Sequence, residues 1–236
     1  MQTQLDPSVA DGDAVAILDR VRSYAMPDGP VETAGTWLRQ RGEMRMDVDG
    51  PWMPFTAEQW FEGSGVDFRW RAWVRMGGLL PTLVVDSFER GRGGLTARVL
   101  GLVPVASSRG PETDRGEALR GLAELPWRPF AFRAGPPFTW KATATNTLRA
   151  TFDDGETRAS VDFQVDADGR AVGAVASSRP RLVGKSFVDT PWFATVSEYR
   201  TFGRLRVPSQ AEAAWQLPRG PFTYWRGQVT DFKTFP

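Results

Sequence analysis

Hydrophobic and polar residues alternate strictly along residues 67–76, DFRWRAWVRM. The residues on one side of this stretch, if it is extended, are Phe68, Trp70, Ala72, Val74 and Met76. The other side carries three arginines, one aspartate and one tryptophan. A period of two residues is the signature of a β-strand with one buried face. The sequence therefore predicts a strand with an aromatic inner face and an arginine-rich outer face.

The same alternation, bounded by glycine and proline turns, predicts further strands along the chain. They cover residues 36–48, 53–62, 82–90, 94–106, 147–152, 157–165, 170–178, 192–202, 206–217 and 222–235. Asp-Gly pairs within the turns at 153–156 and 166–169 are typical of β-hairpins. These patterns predict about ten to twelve antiparallel strands.

Two segments have apolar residues at helical spacing instead. Residues 13–25 form the first, which Pro27 ends, and residues 114–125 form the second. Asp114 followed by Glu117 suggests a capping-box start for the second helix. Its predicted apolar stripe consists of Ala118, Leu119, Leu122 and Leu125.

The aromatic content predicts the shape of the sheet. A flat sheet with two helices cannot bury ten tryptophans, so we expect a strongly curved antiparallel sheet. The predicted fold is α+β and mostly β, a half-barrel of about ten strands with two or three helices at its opening. One domain is expected over residues 1–236, with a helix and arm at 1–30 and the half-barrel at 31–236. Its concave side holds either a packed core or an apolar ligand cavity.

Composition excludes several classes of function. The chain has no histidine and no cysteine, which removes Ser-His-Asp and Cys-His nucleophile systems, disulfides and the common zinc sites. The net charge of +1 gives no general attraction to nucleic acid. The acidic turns at 153–156 and 166–169 lack the calcium-loop pattern, so we expect no metal and no cofactor. The N-terminus has no signal-peptide pattern and no segment is apolar enough to span a membrane, so a cytoplasmic soluble protein is expected.

The arginine-rich face of residues 67–76 has two interpretations. If neighbouring strands pair antiparallel, the arginines lie beside Glu43, Asp47, Glu58 and Glu62, and form a solvated ladder of opposite charges. The alternative is a face that binds phosphate or nucleic acid, which the interleaved acids disfavour.

Several motifs resemble those of an uncharacterised bacterial family of unknown function. They are GPWMPFTAEQ, RWRAWVRM, LGLVPV followed by RGPETDRGEALRGLAELPWRP, and PFTYWRGQVTDF, and they extend over nearly the whole chain from about residue 30. The resemblance implies a fold similar to the half-barrel of bacterial lipoprotein-localisation carriers and related lipid-binding proteins. Members of the family often carry an N-terminal membrane anchor or a transmembrane segment, which the pattern of this sequence does not lead us to expect. Arg120 and Glu124 match the LRGLAE segment of the family.

The candidate ligand-binding residues follow from this picture. Tryptophans expected to line the interior are Trp70, Trp127, Trp192 and Trp225, together with Trp52 and Trp215. Polar contacts are expected from Gln59, Asp86, Arg120 and Glu124. Arg120 and Glu124, four residues apart, form either a surface ion pair or a polar pair at a pocket mouth. Asp86 interrupts an apolar strand and is therefore at an edge, or buried and paired.

Three hypotheses for function remain open at this stage. The first is a soluble carrier or sensor for a hydrophobic or amphipathic small molecule or lipid, with no catalytic residues. The second is a cofactor-free enzyme that uses the carboxylates of Asp86 and Glu124. The third is a structural or interaction protein without a small ligand. The oligomeric state does not follow from the sequence.

Overall fold

The computed structural model describes residues 11–77, 80–133 and 135–235. The first ten residues of the predicted N-terminal arm lie outside the described residues. The helices are α1 (Asp11–Ala25) and α2 (Pro111–Ala123), and short 3₁₀ turns follow at Leu125–Trp127 and Pro129–Ala131. Before α2 come the strands β1 (Gly35–Met44), β2 (Met53–Glu62), β3 (Phe68–Met76), β4 (Leu80–Glu89), β5 (Arg92–Val99) and β6 (Val103–Ser108). After it come β7 (Phe138–Ala144), β8 (Thr147–Asp153), β9 (Arg158–Val165), β10 (Ala171–Val183), β11 (Ser186–Phe202), β12 (Leu205–Leu217) and β13 (Gly220–Phe235).

All strands belong to one antiparallel sheet. Its order is β6-β5-β4-β3-β2-β1-β13-β12-β11-β10-β9-β8-β7, so the sheet has 13 strands and two edges, β6 and β7. The mostly-β antiparallel fold is thus confirmed, whereas the predicted number of about ten strands is too low. The described residues form two α-helices, the lower of the two predicted numbers. Neither is long and apolar enough to cross a membrane.

Three of the differences from the predicted strands have local reasons. The segment 94–106 is two strands, because Leu100 takes a positive φ of 55° and reverses the chain. β7 was not predicted, because the prolines that precede it in the sequence are typical of a turn or loop. β10 continues through Pro180 to Val183, where the pattern suggested an end at 178. Its register with β9 ends at Val175, so beyond that point β10 has one neighbour, and a proline costs little there.

The inner face of the sheet forms the core with the helices. In β3, Phe68, Trp70, Ala72 and Val74 are buried, as the alternation predicts, and the arginines between them are exposed. The predicted apolar stripe of α2 is buried as well. Because α2 connects the edge strand β6 with the edge strand β7, it packs on inner-face residues of both halves of the sheet.

The C-terminal end of α2 lies directly on the turn between β2 and β3. A Cβ atom added to Gly121 would lie 2.2 Å from the carbonyl oxygen of Val66, so only glycine allows this approach. The fully buried Arg128 links the same two elements, because it donates hydrogen bonds to the carbonyl oxygens of Gly65 and Gly121. Burial lowers the pKa of Arg128 to about 10.

The start of α2 differs from the predicted capping box. The helix begins at Pro111 with Gly110 as its N-cap, so Asp114 lies inside the helix. The Asp114 carboxylate instead accepts a hydrogen bond of 2.7 Å from the backbone N–H of Gly93 in β5. Asp114 therefore joins the helix to the sheet instead of capping the helix. The spacing of residues within the helix does not reveal this contact.

The outer face carries only part of the predicted ladder of charges, because Glu58 is the one predicted acid that lies opposite an arginine of β3. Glu58 lies opposite Arg71 in the register of β2 and β3 and forms an ion pair of 3.3 Å with Arg39. Arg69 pairs with Glu89 of β4 at 3.2 Å rather than with the acids of β1 and β2. These side chains are about half exposed, so each pair contributes at most about 1 kcal/mol.

Candidate functional site

A group of five polar side chains lies on the inner face where α2 crosses β2 and β4. We call it the polar cluster, and it consists of Gln59, Asp86, Glu117, Arg120 and Glu124. Gln59 is fully buried, and the exposed fractions of the Asp86 and Arg120 side chains are 9% and 16%. Buried charges on an otherwise apolar face are costly unless they are paired, so their pairing is the first question.

Arg120 is the centre of the polar cluster. Its guanidinium donates to the Asp86 carboxylate and, through Nε, to Glu124 Oε1 at 2.9 Å. Gln59 completes the chain by donating from Nε2 to Glu124 Oε2 at 2.6 Å. The guanidinium carbon lies 4.8 Å from the ring centre of Phe68 and 5.2 Å from that of Trp70. Although burial opposes it, the charges of Glu124 and Asp86 raise the pKa of Arg120, which keeps it a cation.

Glu117 lies on the other side of Asp86. Burial raises the pKa of Glu117 well above 4.5, and the negative charge of Asp86 raises it further. Asp86 Oδ1 and Glu117 Oε2 are both buried with no hydrogen-bond partner. A proton on Glu117 removes the repulsion between the two carboxyl groups and supplies a donor to Asp86. The pair is therefore best described as one acid and one carboxylate.

This protonation makes stability depend on pH, which Glu117→Gln tests. The unfolded side chain ionises above about pH 4.5, whereas the folded one keeps its proton. Stability from this group is therefore fully present below that pH and falls as pH rises, by at most about 1.4 kcal/mol per pH unit. We compare the free energy of unfolding of Glu117→Gln with that of the wild type at about pH 5 and at about pH 8. The difference should shift in favour of the variant at the higher pH, as measured by urea unfolding.

Glu112→Gln, at an exposed position of the same helix, is the matched control and should show no such gain. An equal loss of stability for Glu117→Gln at both pH values would mean that the folded protein holds Glu117 ionised.

A second polar group adjoins the polar cluster on the β10–β13 side of the inner face. We call it the arginine–tyrosine corner, and it consists of Arg179, Trp192, Trp215 and Tyr224. The Arg179 guanidinium donates from Nε to the Gly116 carbonyl oxygen at 3.1 Å and from Nη1 to the Tyr224 hydroxyl at 3.2 Å. Its carbon lies 4.9 Å and 5.4 Å from the ring centres of Trp192 and Trp215.

Two donors in the arginine–tyrosine corner have no acceptor among the described residues. The Tyr224 oxygen accepts from Arg179 and, at 3.1 Å, from Trp192 Nε1, so its own proton points elsewhere. Arg179 Nη2 has Glu117 Oε1 nearest, at 3.8 Å, beyond hydrogen-bond distance. Tyr224 and Trp215 are half-buried, and their rings stack at 5.8 Å. The corner therefore offers a cation and a hydroxyl proton beside partly accessible aromatic rings.

The structure brings together most of the side chains predicted to bind a ligand. Gln59, Asp86, Arg120 and Glu124 are all in the polar cluster. Trp70 lies against it, held by a hydrogen bond of 2.9 Å from its Nε1 to Gln40.

The other predicted tryptophans have four different positions. Trp192 and Trp215 belong to the arginine–tyrosine corner. Trp225 stacks on Phe55, which meets Trp70 edge-on, with ring centres 5.6 Å apart in both contacts. Trp52 packs between the guanidinium groups of Arg45 and Arg226. The Trp127 side chain belongs to neither group, and its Nε1 donates to the Pro208 carbonyl oxygen at 2.9 Å.

The structure decides between alternatives that the sequence left open for these side chains. Arg120 and Glu124 are not a surface ion pair, because their side chains are only 16% and 14% exposed. Asp86 is buried and paired, the second of its two expected environments. Asp86 and Glu124 both bind Arg120. Burial raises the pKa of Glu117, which the sequence interpretation did not select.

The sequence contains only a partial signal for the residues that were missed. Glu117, Arg120 and Glu124 follow each other at spacings of three and four, which places them on one helix face. Arg179 follows an irregularity in the β10–β11 register between Ala176 and Arg179, which interrupts the alternation. Tyr224 is at a similar irregularity of β13 opposite Ala213 and Ala214.

A groove of about 590 Å³ on the opposite, outer face is not a comparable site. It crosses β1, β12 and β13, and four of its polar side chains pair with one another. Arg41 bonds Gln228 at 2.9 Å, and Arg226 forms an ion pair with Glu43. The inner-face groups are therefore the candidate site.

Solved structures of similar fold cover nearly the whole chain. A DUF1329 family protein from Desulfovibrio piger is 12% identical, with 94% of this chain and 93% of that one covered and a TM-score of 0.52. A LolA superfamily protein from Nitrosomonas europaea is 9% identical, with 94% of each chain covered and a TM-score of 0.49. A putative outer membrane lipoprotein-sorting protein domain from Vibrio parahaemolyticus is 9% identical, with 94% and 93% covered and a TM-score of 0.48.

The family comparison agrees with the motifs of the sequence. No curated protein matches the chain. The model of a family of unknown function, DUF6544, matches residues 20–227. The chain, with its inner-face polar cluster and its antiparallel sheet of 13 strands, belongs to the DUF6544 family.

Proposed function

We propose that the protein binds an amphipathic small molecule whose anionic head group sits at the arginine–tyrosine corner. The observation that carries the proposal is the pair of donors without acceptors, Tyr224 Oη–H and Arg179 Nη2, on a half-buried aromatic surface. A carboxylate or phosphate group, with its several acceptor oxygens, can accept from both groups. Hydrogen bonds to a charged acceptor are the strong ones, since each contributes about 1.5–3 kcal/mol.

The polar cluster explains why Arg179 is the cation offered to the ligand. Arg120 is occupied by two carboxylates, Asp86 and Glu124. The carboxyl group nearest to Arg179 is Glu117, whose pKa burial raises, so that its neutral form is favoured. Arg179 thus carries a positive charge that no neighbouring carboxylate fully balances.

The apolar part of the ligand has a matching surface at the same end of the inner face. Half-buried hydrophobic side chains there pack against the core but keep part of their surface free; they are Met44, Met76, Trp215, Tyr224 and Trp225. Methionine and aromatic side chains suit apolar chains of variable shape. Deeper in the sheet, Leu38, Phe61 and Phe68 are almost fully buried, so the ligand lies on this end and does not enter the core.

A comparison of two probes tests the proposal. We expect a long-chain fatty acid to quench tryptophan fluorescence and to give a stoichiometric adduct in native mass spectra. The fatty alcohol of equal length, which lacks the charge, should bind at least about tenfold more weakly. Equal binding of acid and alcohol, or binding of neither, would contradict an anionic head-group site.

Two substitutions locate the site. Arg179→Gln should weaken binding of the fatty acid roughly ten- to a hundredfold, and Tyr224→Phe should weaken it by a smaller factor with the ring and its stacking retained. Tyr24→Phe in α1 is the matched control, because it removes a hydroxyl group far along the chain from the corner. Thermal melting of each variant checks that it is folded. Unchanged affinity in Tyr224→Phe would show that this hydroxyl does not contact the ligand.

A further inference from the structure

A second arginine follows Arg179 on the same face of β10. Arg179 and Arg181 lie opposite Thr190 and Val188 of β11, and the register between these two pairs is regular. Residues two apart on a strand point to the same side, with Cα atoms about 7 Å apart. Because the buried Arg179 points to the inner face, where it bonds Gly116 of α2, the Arg181 side chain also starts on the inner face.

The Arg181 guanidinium has no partner in the described part of the chain. It forms no hydrogen bond and no ion pair there, and its Nε is buried without an acceptor. The nearest acid along the hairpin, Asp189, lies opposite Pro180 and pairs with Arg115 of α2 instead. The side chain as a whole is only half-buried, so it can be reached from the solvent. An acceptor from outside the chain would satisfy this donor.

The two chain segments that hold the donors of this region carry positive charge and no negative charge. Residues 179–188 and 213–225, which include the β10–β11 and β12–β13 turns, contain no aspartate or glutamate. Their cations are Arg179, Arg181, Lys185 and Arg219. An anion at the arginine–tyrosine corner is therefore attracted by more than one positive charge.

We infer that the head group bound at the corner is a phosphate monoester, held by Arg179, Arg181 and Tyr224. The inference rests on the proposed function and names the chemical class of its ligand, an alkyl phosphate. A carboxylate carries one negative charge, which Arg179 alone balances, so Arg181 would remain an unbalanced cation. A phosphate monoester carries nearly two negative charges near neutral pH and has three terminal oxygens, one for each donor group. The planar fork of an arginine also matches phosphate geometry.

The β10–β11 hairpin places Arg181 at the solvent end of the corner. β11 pairs with β12 from Trp192 onward, so the tip of the hairpin projects beyond β12. Arg181 is farther out along this hairpin than Arg179, whose guanidinium bonds Tyr224. A phosphate group between the two arginines therefore lies at the solvent end, and its alkyl chain follows the half-buried rings of Trp215 and Tyr224.

Probes with the same alkyl chain and different head groups test the inference on the full chain. They are tetradecyl phosphate, its methyl diester, which has a single negative charge, and tetradecanoate. By tryptophan fluorescence near neutral pH, we expect tetradecyl phosphate to bind roughly ten- to a hundredfold more tightly than the other two. Inorganic phosphate, which lacks the chain, should displace it only at concentrations at least about a hundredfold higher.

Arg181→Gln should remove most of this preference. We expect it to weaken binding of tetradecyl phosphate roughly ten- to a hundredfold and binding of tetradecanoate by less than about twofold, whereas Arg179→Gln should weaken both. Arg200→Gln is the matched control, because it removes the same charge from an exposed position at the other end of β11. It should bind every probe as the wild type does, and thermal melting checks that each variant is folded.

The failure of this inference differs from the failure of the proposed function. Equal affinities for tetradecyl phosphate and tetradecanoate, or unchanged binding of tetradecyl phosphate by Arg181→Gln, would overturn the inference and leave an anionic head-group site in place. If neither probe binds, the proposed function fails and the inference fails with it. Displacement of tetradecyl phosphate by an equal concentration of inorganic phosphate would assign the site to free phosphate and overturn the alkyl phosphate.

Discussion

Arg120→Met should lower the free energy of unfolding by about 3–5 kcal/mol. The substitution preserves much of the side-chain volume but leaves Asp86 and Glu124 without the cation that both contact. Glu117 is already close to Asp86, so three carboxyl groups would share one buried region. Urea unfolding, with an unchanged dependence of stability on urea concentration, measures the loss.

Two controls separate the polar cluster from ordinary ion pairs. Arg69→Met removes the partner of Glu89 on the exposed outer face and should cost less than about 1 kcal/mol. The triple variant Arg120→Met/Asp86→Asn/Glu124→Gln removes the buried charges together and should be more stable than the single variant. A single-variant cost as small as that of Arg69→Met would show that Arg120 is not a buried charge.

Gly121→Ala and Gly116→Ala should change stability in opposite directions. Both lie in α2, where alanine is favoured over glycine by about 1 kcal/mol. A Cβ on Gly116 would be 4.0 Å from the nearest atom, the Pro180 oxygen, so Gly116→Ala should stabilise the protein. A Cβ on Gly121 would be 2.2 Å from the Val66 oxygen, so Gly121→Ala should push the helix from the β2–β3 turn at a cost of about 1–3 kcal/mol or more.

Thermal or urea unfolding of the two variants side by side gives the answer. Each alanine makes the same local change to helix propensity, so their difference reports the packing of the helix on the turn. Stabilisation by Gly121→Ala would mean that the helix end is not in close contact with this turn, and that Arg128 does not link the two elements as described.

Local patterns predicted the parts of the molecule that depend on neighbours in the chain. The alternation in β3 identified which side chains are buried, because a strand exposes alternate residues to opposite faces whatever lies next to it. The spacing of Arg120 and Glu124 likewise predicted that the two side chains meet. It did not show that the pair is buried, since this depends on Asp86, 34 positions away along the chain.

Local sequence patterns could not predict the arginine–tyrosine corner, for the same reason. Arg179 and Tyr224 belong to β10 and β13, which are separated in the sheet by β11 and β12. Each lies at an irregularity of strand register, which local alternation does not predict. A single sequence shows which residue types are present, but it does not show the local bending of the strands that brings two of them together.

The junction of β1 with β13 in the middle of the sheet has a consequence for how the molecule forms. The hairpins of β2–β6 and of β7–β12 bring together residues close in sequence, whereas the Thr33 hydroxyl bonds the Phe235 carbonyl oxygen 202 positions away. Contacts of such high sequence separation form slowly. During synthesis β13 is the last described strand to emerge, and until it inserts, both β1 and β12 present open edges to other nascent chains. Loss of this one strand would divide the sheet in two, so a chain shortened at its C-terminus should aggregate rather than fold partially.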